Sequence, residues 1–386
     1  MNEEQLGRGK ADAKPAVRLA SAKPAVHPLA GAGLGTLLRL LSQAGPLPRS
    51  SWLRVAMALG SAVGRWPFGV LERGLVAAQR RGARLDPPPI FLLGHWRSGT
   101  THLYNLLCKG DFAYVDPIAA GLPWEFLTLG RLFRPLLVKA LPEGRFIDAV
   151  AVERDSPQED ELAIANMSVL SFYHAIYFPQ RFERFFGPGL LLEGVSPTER
   201  QAWLRRADHL FWKLARQHGG RQLAIKNPVY TARARLLAGA YPDAKFVHIV
   251  RNPYEVFAST RSCFAKLFET LALQPYDGLD PETITLETYP KVMQPLIEDA
   301  ERFDSGHYVE LRFEELEGDP IGSLARIYEA LGLPGFAGAE AKFRQHLSEV
   351  RSYNRTARHF SERDLTLVER HWGAFLAHWG YGRPGA

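Results

Sequence analysis

A four-residue apolar run, Ile90-Phe91-Leu92-Leu93, stops at Gly94, and Gly99 follows five positions later, before Leu103, Leu106 and Leu107 take up helical spacing. A short run that is apolar throughout fits a strand buried on both faces of a parallel sheet better than a half-exposed one. Pro87, Pro88 and Pro89 bar a helix immediately upstream. Strand, glycine loop and helix in this order let backbone N–H groups at the helix start surround an anion. Further buried strands are expected at 223–225, 246–250 and 307–313, and helical spacing dominates 118–220 and the chain beyond 320. The alternation predicts an α/β fold: a P-loop-like, doubly wound small parallel sheet with extensive helical cover.

Three regions are expected: a disordered basic tail over 1–30, a helical region over 31–86 broken at Gly45-Pro46-Leu47-Pro48, and the α/β domain over 87–386. A hydrophobic content of 46% excludes disorder throughout, and no apolar run has the length of a membrane span. The first residues lack the apolar stretch of a secretory signal, so the expected location is the cytoplasm. Two cysteines, Cys108 and Cys263, are too few for a disulfide scaffold or a cysteine metal cluster. The formal charge is +6, but it is unevenly spread: residues 1–86 hold 13 Lys or Arg against 5 Asp or Glu, leaving 34 against 36 in the remainder. The excess therefore lies outside the glycine-loop region. Its arginines among leucines and tryptophans point to a peripheral membrane contact, a membrane-associated cytoplasmic protein, rather than to nucleic acid.

Taken as GxxxxG, the loop Gly94-His95-Trp96-Arg97-Ser98-Gly99 is that of a nucleotide phosphate site, but Thr100 stands where nucleoside triphosphatases carry lysine, and the cation, Arg97, sits inside the loop. The strand expected at 246–250 ends in Arg251, a cation where a magnesium ligand would be sought. No metal is expected. A P-loop kinase or NTPase, and a non-catalytic nucleotide-binding protein, remain as alternatives.

At these residues the sequence resembles the sulfotransferase superfamily, in its bacterial and carbohydrate-like branch. Arg97-Ser98-Gly99-Thr100-Thr101 is similar to the family's loop for the 5′-phosphosulfate of 3′-phosphoadenosine-5′-phosphosulfate (PAPS). Val250-Arg251-Asn252-Pro253 through Ser259 is similar to its 3′-phosphate segment, with Arg251 and Ser259 at the two gripping positions, and Lys226 matches a lysine that ends another core strand. The resemblance spans about residues 88–385. It implies transfer of a sulfuryl group from PAPS to a hydroxyl or amine of a small-molecule, lipid or carbohydrate acceptor, by in-line displacement, with Arg97 and Lys226 stabilising developing charge. The chemistry is consistent with the residues: a bisphosphate needs two anion sites, and cations placed at strand ends provide them electrostatically.

Such a transfer needs a base for the acceptor's proton. Where the aryl and steroid enzymes carry histidine, this chain has Pro228. The carbohydrate and tyrosyl branches use a glutamate beyond the loop helix, which the resemblance carries onto Glu125; Asp160 and Glu161 are the second choice. Ser156-Pro157-Gln158-Glu159 reads as a capping box, making Glu159 structural. His95 and His102 flank the loop and are read as structural or phosphate-contacting, whereas His174, His248 and His307 lack metal-site spacing. Phe172, Tyr173, Tyr177, Phe178, Phe182, Phe185 and Phe186 fit core packing or an acceptor pocket, and the basic segment Arg351 to Arg358 fits a lid over the nucleotide.

Overall fold

The structure, a computed structural model, describes residues 26–139, 156–350 and 360–384. The break at Gly45–Pro48 separates two helices, α1 (Leu34–Ala44) and α2 (Arg49–Arg80). The chain then enters β1 (Ile90–Leu93), crosses the glycine loop, and starts α3 (Thr100–Leu107). Three more strands follow, β2 (Ala224–Lys226), β3 (Lys245–Val250) and β4 (Tyr308–Arg312). They form one sheet in the order β2-β1-β3-β4, every pair parallel, with Ile90 beside Ala224 and Lys245, and Val250 beside Arg312. All four C-terminal ends therefore point the same way, which brings the glycine loop, Lys226 and Arg251 to one edge.

Alternation along β1 sorts its side chains between two layers. Phe91 and Leu93 pack with Ile225, Trp203 and Phe211 on one face, while Ile90 and Leu92 pack with Leu103, Leu106 and Ile327 on the other. A third cluster joins Leu37, Leu40 and Ala58 of the N-terminal helices to Phe172, Phe257 and Trp372. Phe172, Tyr177, Phe178, Phe182, Phe185 and Phe186 are buried in it, so these aromatics are core, and only Tyr173 is half-buried.

Residues 26–30, expected to belong to the tail, are part of the fold. Residues 1–25 lie outside the described part, but Leu29 and Ala32 are fully buried, and the ring of His27 bonds the Leu271 carbonyl at 2.9 Å. Ser51 Oγ donates to the Leu273 carbonyl at 2.6 Å, and Ser61 Oγ to that of Ala30 at 2.9 Å. Polar groups at the start of the chain are thus satisfied by partners far along it, a long-range pairing that local periodicity does not register.

Candidate active site

The two loop glycines are fixed by geometry. Gly94 has φ +145°, and a Cβ there would lie 2.6 Å from the Ile249 carbonyl oxygen; Gly99 has φ +100°, and its Cβ would lie 2.0 Å from Phe313. Both conformations and both close approaches exclude a side chain. Gly94 is clamped further by Thr231, whose Oγ1 accepts from the Gly94 N–H at 2.8 Å and donates to its carbonyl at 3.1 Å. Gly99 caps α3 without a side chain, so the first N–H groups of α3 are left to the loop. Ser98 Oγ is buried beside them without a hydrogen-bond partner, as a group awaiting an anion would be.

The cations converge on this loop. Arg97, at φ +69°, donates from Nε to Ser259 Oγ at 2.9 Å. Arg251 donates from Nη1 to the Arg97 carbonyl at 3.1 Å and from Nη2 to Glu255 at 3.0 Å, with its guanidinium 5.0 Å above the Phe313 ring. The residues expected to bind the two ends of the nucleotide, Arg97, Ser98, Gly99 and Thr100 with Arg251 and Ser259, are thereby contiguous. Lys226, at the end of β2, reaches Thr101 Oγ1 at 3.2 Å. His95 contributes no charge: burial holds its pKa down at about 3, and its Nδ1 lies 3.0 Å from the Trp96 carbonyl.

The carboxylate beside Lys226 is Glu159, which forms a close ion pair with its Nζ; the side chains are 1% and 16% exposed. No capping box opens a helix at Ser156–Glu159. The helix begins only at Glu161, with Asp160 as an N-cap whose side chain bonds no helix N–H, and Glu159 turns away to the lysine. Asp160 is fully buried, touching the Tyr230 hydroxyl and accepting from Asn227 Nδ2 at 2.9 Å; burial raises its pKa to about 8. Glu161 accepts from Ser171 Oγ at 2.6 Å, the Phe172 N–H at 3.0 Å and Asn227 Nδ2 at 2.9 Å. These two anchor the segment that presents Glu159.

Glu125, expected as the base, is buried against helix α2. Its Oε2 accepts from Arg65 Nη1 of α2 at 2.7 Å, and the charged groups that act on it are Arg65, Lys213 and Glu72. Burial raises its pKa while Arg65 opposes the rise. Residues Arg351 to Arg358, read as a lid, lie outside the described residues. Among the described residues no three His, Cys, Asp or Glu side chains are placed to hold a metal ion.

Three cations, a helix start free of side-chain caps and a carboxylate thus meet at the C-terminal edge of a parallel sheet, where open α/β sheets bind their ligands. Comparison with known proteins gives the class. The model of the sulfotransferase family matches residues 88–338. Two mycobacterial proteins named omega-hydroxy-beta-dihydromenaquinone-9 sulfotransferase Stf3, from Mycobacterium bovis and Mycobacterium tuberculosis, are each 33% identical over 357 residues, covering 86% of this chain and 90% of theirs. The crystal structure of sulfotransferase STF9 from Mycobacterium avium has the same fold, with a TM-score of 0.66 at 16% identity, over 92% of this chain and 98% of that one. STF1 from Mycobacterium tuberculosis follows at 0.54 and 18%, over 88% and 91%. The chain belongs to the sulfotransferase family and is an enzyme of sulfuryl transfer. The kinase alternative, already short of its lysine at Thr100, is not favoured.

Proposed function

We propose that the enzyme transfers a sulfuryl group from PAPS to a hydroxyl carried on an apolar, lipid-borne acceptor, with Glu159 as the base in place of Glu125 or Asp160. The observation that carries this reading is the position of Lys226, held between Thr101 at the start of α3 and the Glu159 carboxylate. When bound, PAPS supplies the sulfuryl group on an adenosine 3′,5′-bisphosphate leaving group. Ser98 Oγ, the N–H groups at the start of α3, Arg97 and Lys226 would hold its 5′ end, and Arg251 and Ser259 its 3′-phosphate. Arg97 and Lys226 then face the charge that grows on the leaving group, where preset donors act most strongly. A cation that shifts from Glu159 to an incoming anion leaves the carboxylate basic and directed at the acceptor's proton.

The acceptor class is inferred from the Stf3 relatives, whose named substrate bears a hydroxyl on a menaquinone. A lipid-borne hydroxyl is met at a bilayer, so the enzyme is read as cytoplasmic and peripheral to the membrane, with its N-terminal region at the surface. No described helix is long and apolar enough to cross a membrane. Calorimetry with adenosine 3′,5′-bisphosphate and with ATP, each with and without Mg²⁺, tests the donor. Preferential, Mg²⁺-independent binding of the bisphosphate is expected; equal or ATP-favoured binding refutes the reading. Turnover of an omega-hydroxylated isoprenoid above phenols and sugars tests the acceptor.

A further inference from the structure

Helix α2 is amphipathic in the inverse sense. It turns Ser51, Ala58, Ala62, Arg65, Gly69 and Glu72 into the protein and leaves large apolar side chains outside. Leu53 is 70% exposed, Trp52 59%, Val63 58%, Trp66 57% and Leu71 55%. From Val55 to Leu71 the one charged side chain is Arg65, and it is buried against Glu125. The outer face of these turns therefore carries no charge. Glu72 also accepts from the N–H and Oγ1 of Thr128 at 2.7 and 2.8 Å, which holds the short helices Leu129–Leu132 and Arg134–Lys139 near α2. These expose Leu132, Phe133 and Leu136. Among the described residues every exposed large hydrophobic side chain falls between Val26 and Leu136. Exposed large apolar side chains gathered on one stretch of chain mark an interaction site.

We propose that this face lies in the headgroup layer of an anionic lipid membrane, with the axis of α2 parallel to the bilayer. The inference rests on the reading above for the choice of a membrane, and adds the surface and the lipid charge. The choice between lipid and a second copy of the chain turns on the rim. Arg39, Arg49, Arg73, Arg81 and Arg84 are exposed around the patch, as are Arg131 and Lys139 beside the short helices. Glu72 is the one acidic residue between Leu34 and Leu85, and it is buried. Two such faces brought together would set arginine against arginine. Anionic headgroups would neutralise them, while tryptophan rings sit at the boundary between headgroup and chain. At 1.5 Å per residue the 32-residue helix offers a contact roughly 48 Å long.

The test is sedimentation of the full chain with phosphatidylcholine vesicles, with and without phosphatidylglycerol. Binding is expected to the anionic vesicles, weakening as salt rises. The double substitution Leu53→Glu with Leu71→Glu is expected to lower the bound-to-free ratio at least about tenfold, and Arg49→Glu with Arg81→Glu to lower it through charge alone. All four side chains are exposed, so melting temperature and adenosine 3′,5′-bisphosphate binding are expected to persist in both variants. That persistence separates failure here from failure of the donor site. Absence of vesicle binding overturns the proposal, as does equal binding to neutral vesicles or equal binding by the Leu53→Glu/Leu71→Glu variant. A dimer that the same leucine substitutions dissolve, without vesicle binding, assigns the face to a second copy and overturns it too.

Discussion

Replacing Glu159 by alanine separates its pairing with Lys226 from the role proposed for it, taking the acceptor's proton. Lys226 is 1% exposed and Glu159 16%, so the pair is largely removed from water. Breaking a buried pair costs about 3–5 kcal/mol; the partial exposure of Glu159 and the bond Lys226 keeps to Thr101 reduce this to about 2 kcal/mol. At roughly 2 cal/mol/K of unfolding entropy per residue, the ligand-free variant should melt about 3 °C lower. Adenosine 3′,5′-bisphosphate brings Lys226 a new anion. The loss should then close in the complex and appear as binding up to about 30-fold tighter, since 1.4 kcal/mol is a factor of ten. Sulfuryl transfer should fall by about 10²–10⁴, the usual contribution of a positioned base. Glu159→Gln keeps an acceptor for Lys226 but no base, so it should recover stability without recovering rate. Thermal melts with and without the bisphosphate, beside single-turnover transfer, read all three quantities. A transfer rate within about threefold of the native enzyme refutes Glu159 as base; destabilisation without tighter binding removes Lys226 from the donor site.

Arg251→Ala deletes both the cation proposed for the 3′-phosphate and the bond to the Arg97 carbonyl, so calorimetry should show adenosine 3′,5′-bisphosphate weakened about 10- to 100-fold and ATP much less; equal losses count against a 3′-phosphate role. Gly99→Ala forces a Cβ to 2.0 Å from Phe313 at φ +100°, so nucleotide binding should be lost with about 1–3 kcal/mol of stability, part of which Phe313→Ala returns; an unchanged melt rejects this geometry. Asp160 has a folded pKa of about 8 against an ordinary 3.8, so the native state keeps a proton that the unfolded chain releases. Its contribution is whole below about pH 4 and declines as pH rises through 8, by about 1.4 kcal/mol per unit. Asp160→Asn should therefore gain stability over the native protein from pH 5 to pH 8 while transfer persists, and a difference constant with pH contradicts the shift.

What the sequence discloses of this fold is local. Gly94 and Gly99 are legible because a loop that must adopt positive φ needs glycine wherever it occurs, and β1 is legible because both its faces are buried. The break between α1 and α2 is announced by Gly45 and Pro46. Glu159 is illegible for a corresponding reason. Ser156-Pro157-Gln158-Glu159 satisfies the local chemistry of a cap, while the partner that overrules it, Lys226, is 67 residues away and arrives only because β2 pairs beside β1. The buried edge of the tail is hidden likewise, since His27 finds its acceptor 244 residues downstream.

Carboxylates in this protein thus take their roles from the cation that the topology delivers. Glu125 and Glu159 both follow the loop helix, and the cap signal at Ser156-Pro157 that sets Glu159 aside in the sequence is not realised in the fold. Arg65, coming from the inward face of α2, neutralises Glu125 at the junction with the N-terminal helices; Lys226, coming from the strand beside the glycine loop, keeps Glu159 at the anion site. The same inward turn of Arg65 and Glu72 leaves the outside of α2 to leucine, valine and tryptophan. One choice of helix orientation therefore both pairs Glu125 with Arg65 and leaves the apolar side chains of α2 outside. Reversing it would bury the tryptophans and strip Glu125 of its buried partner, so the pairing of Glu125 and the chain's outer surface are set by a single packing decision.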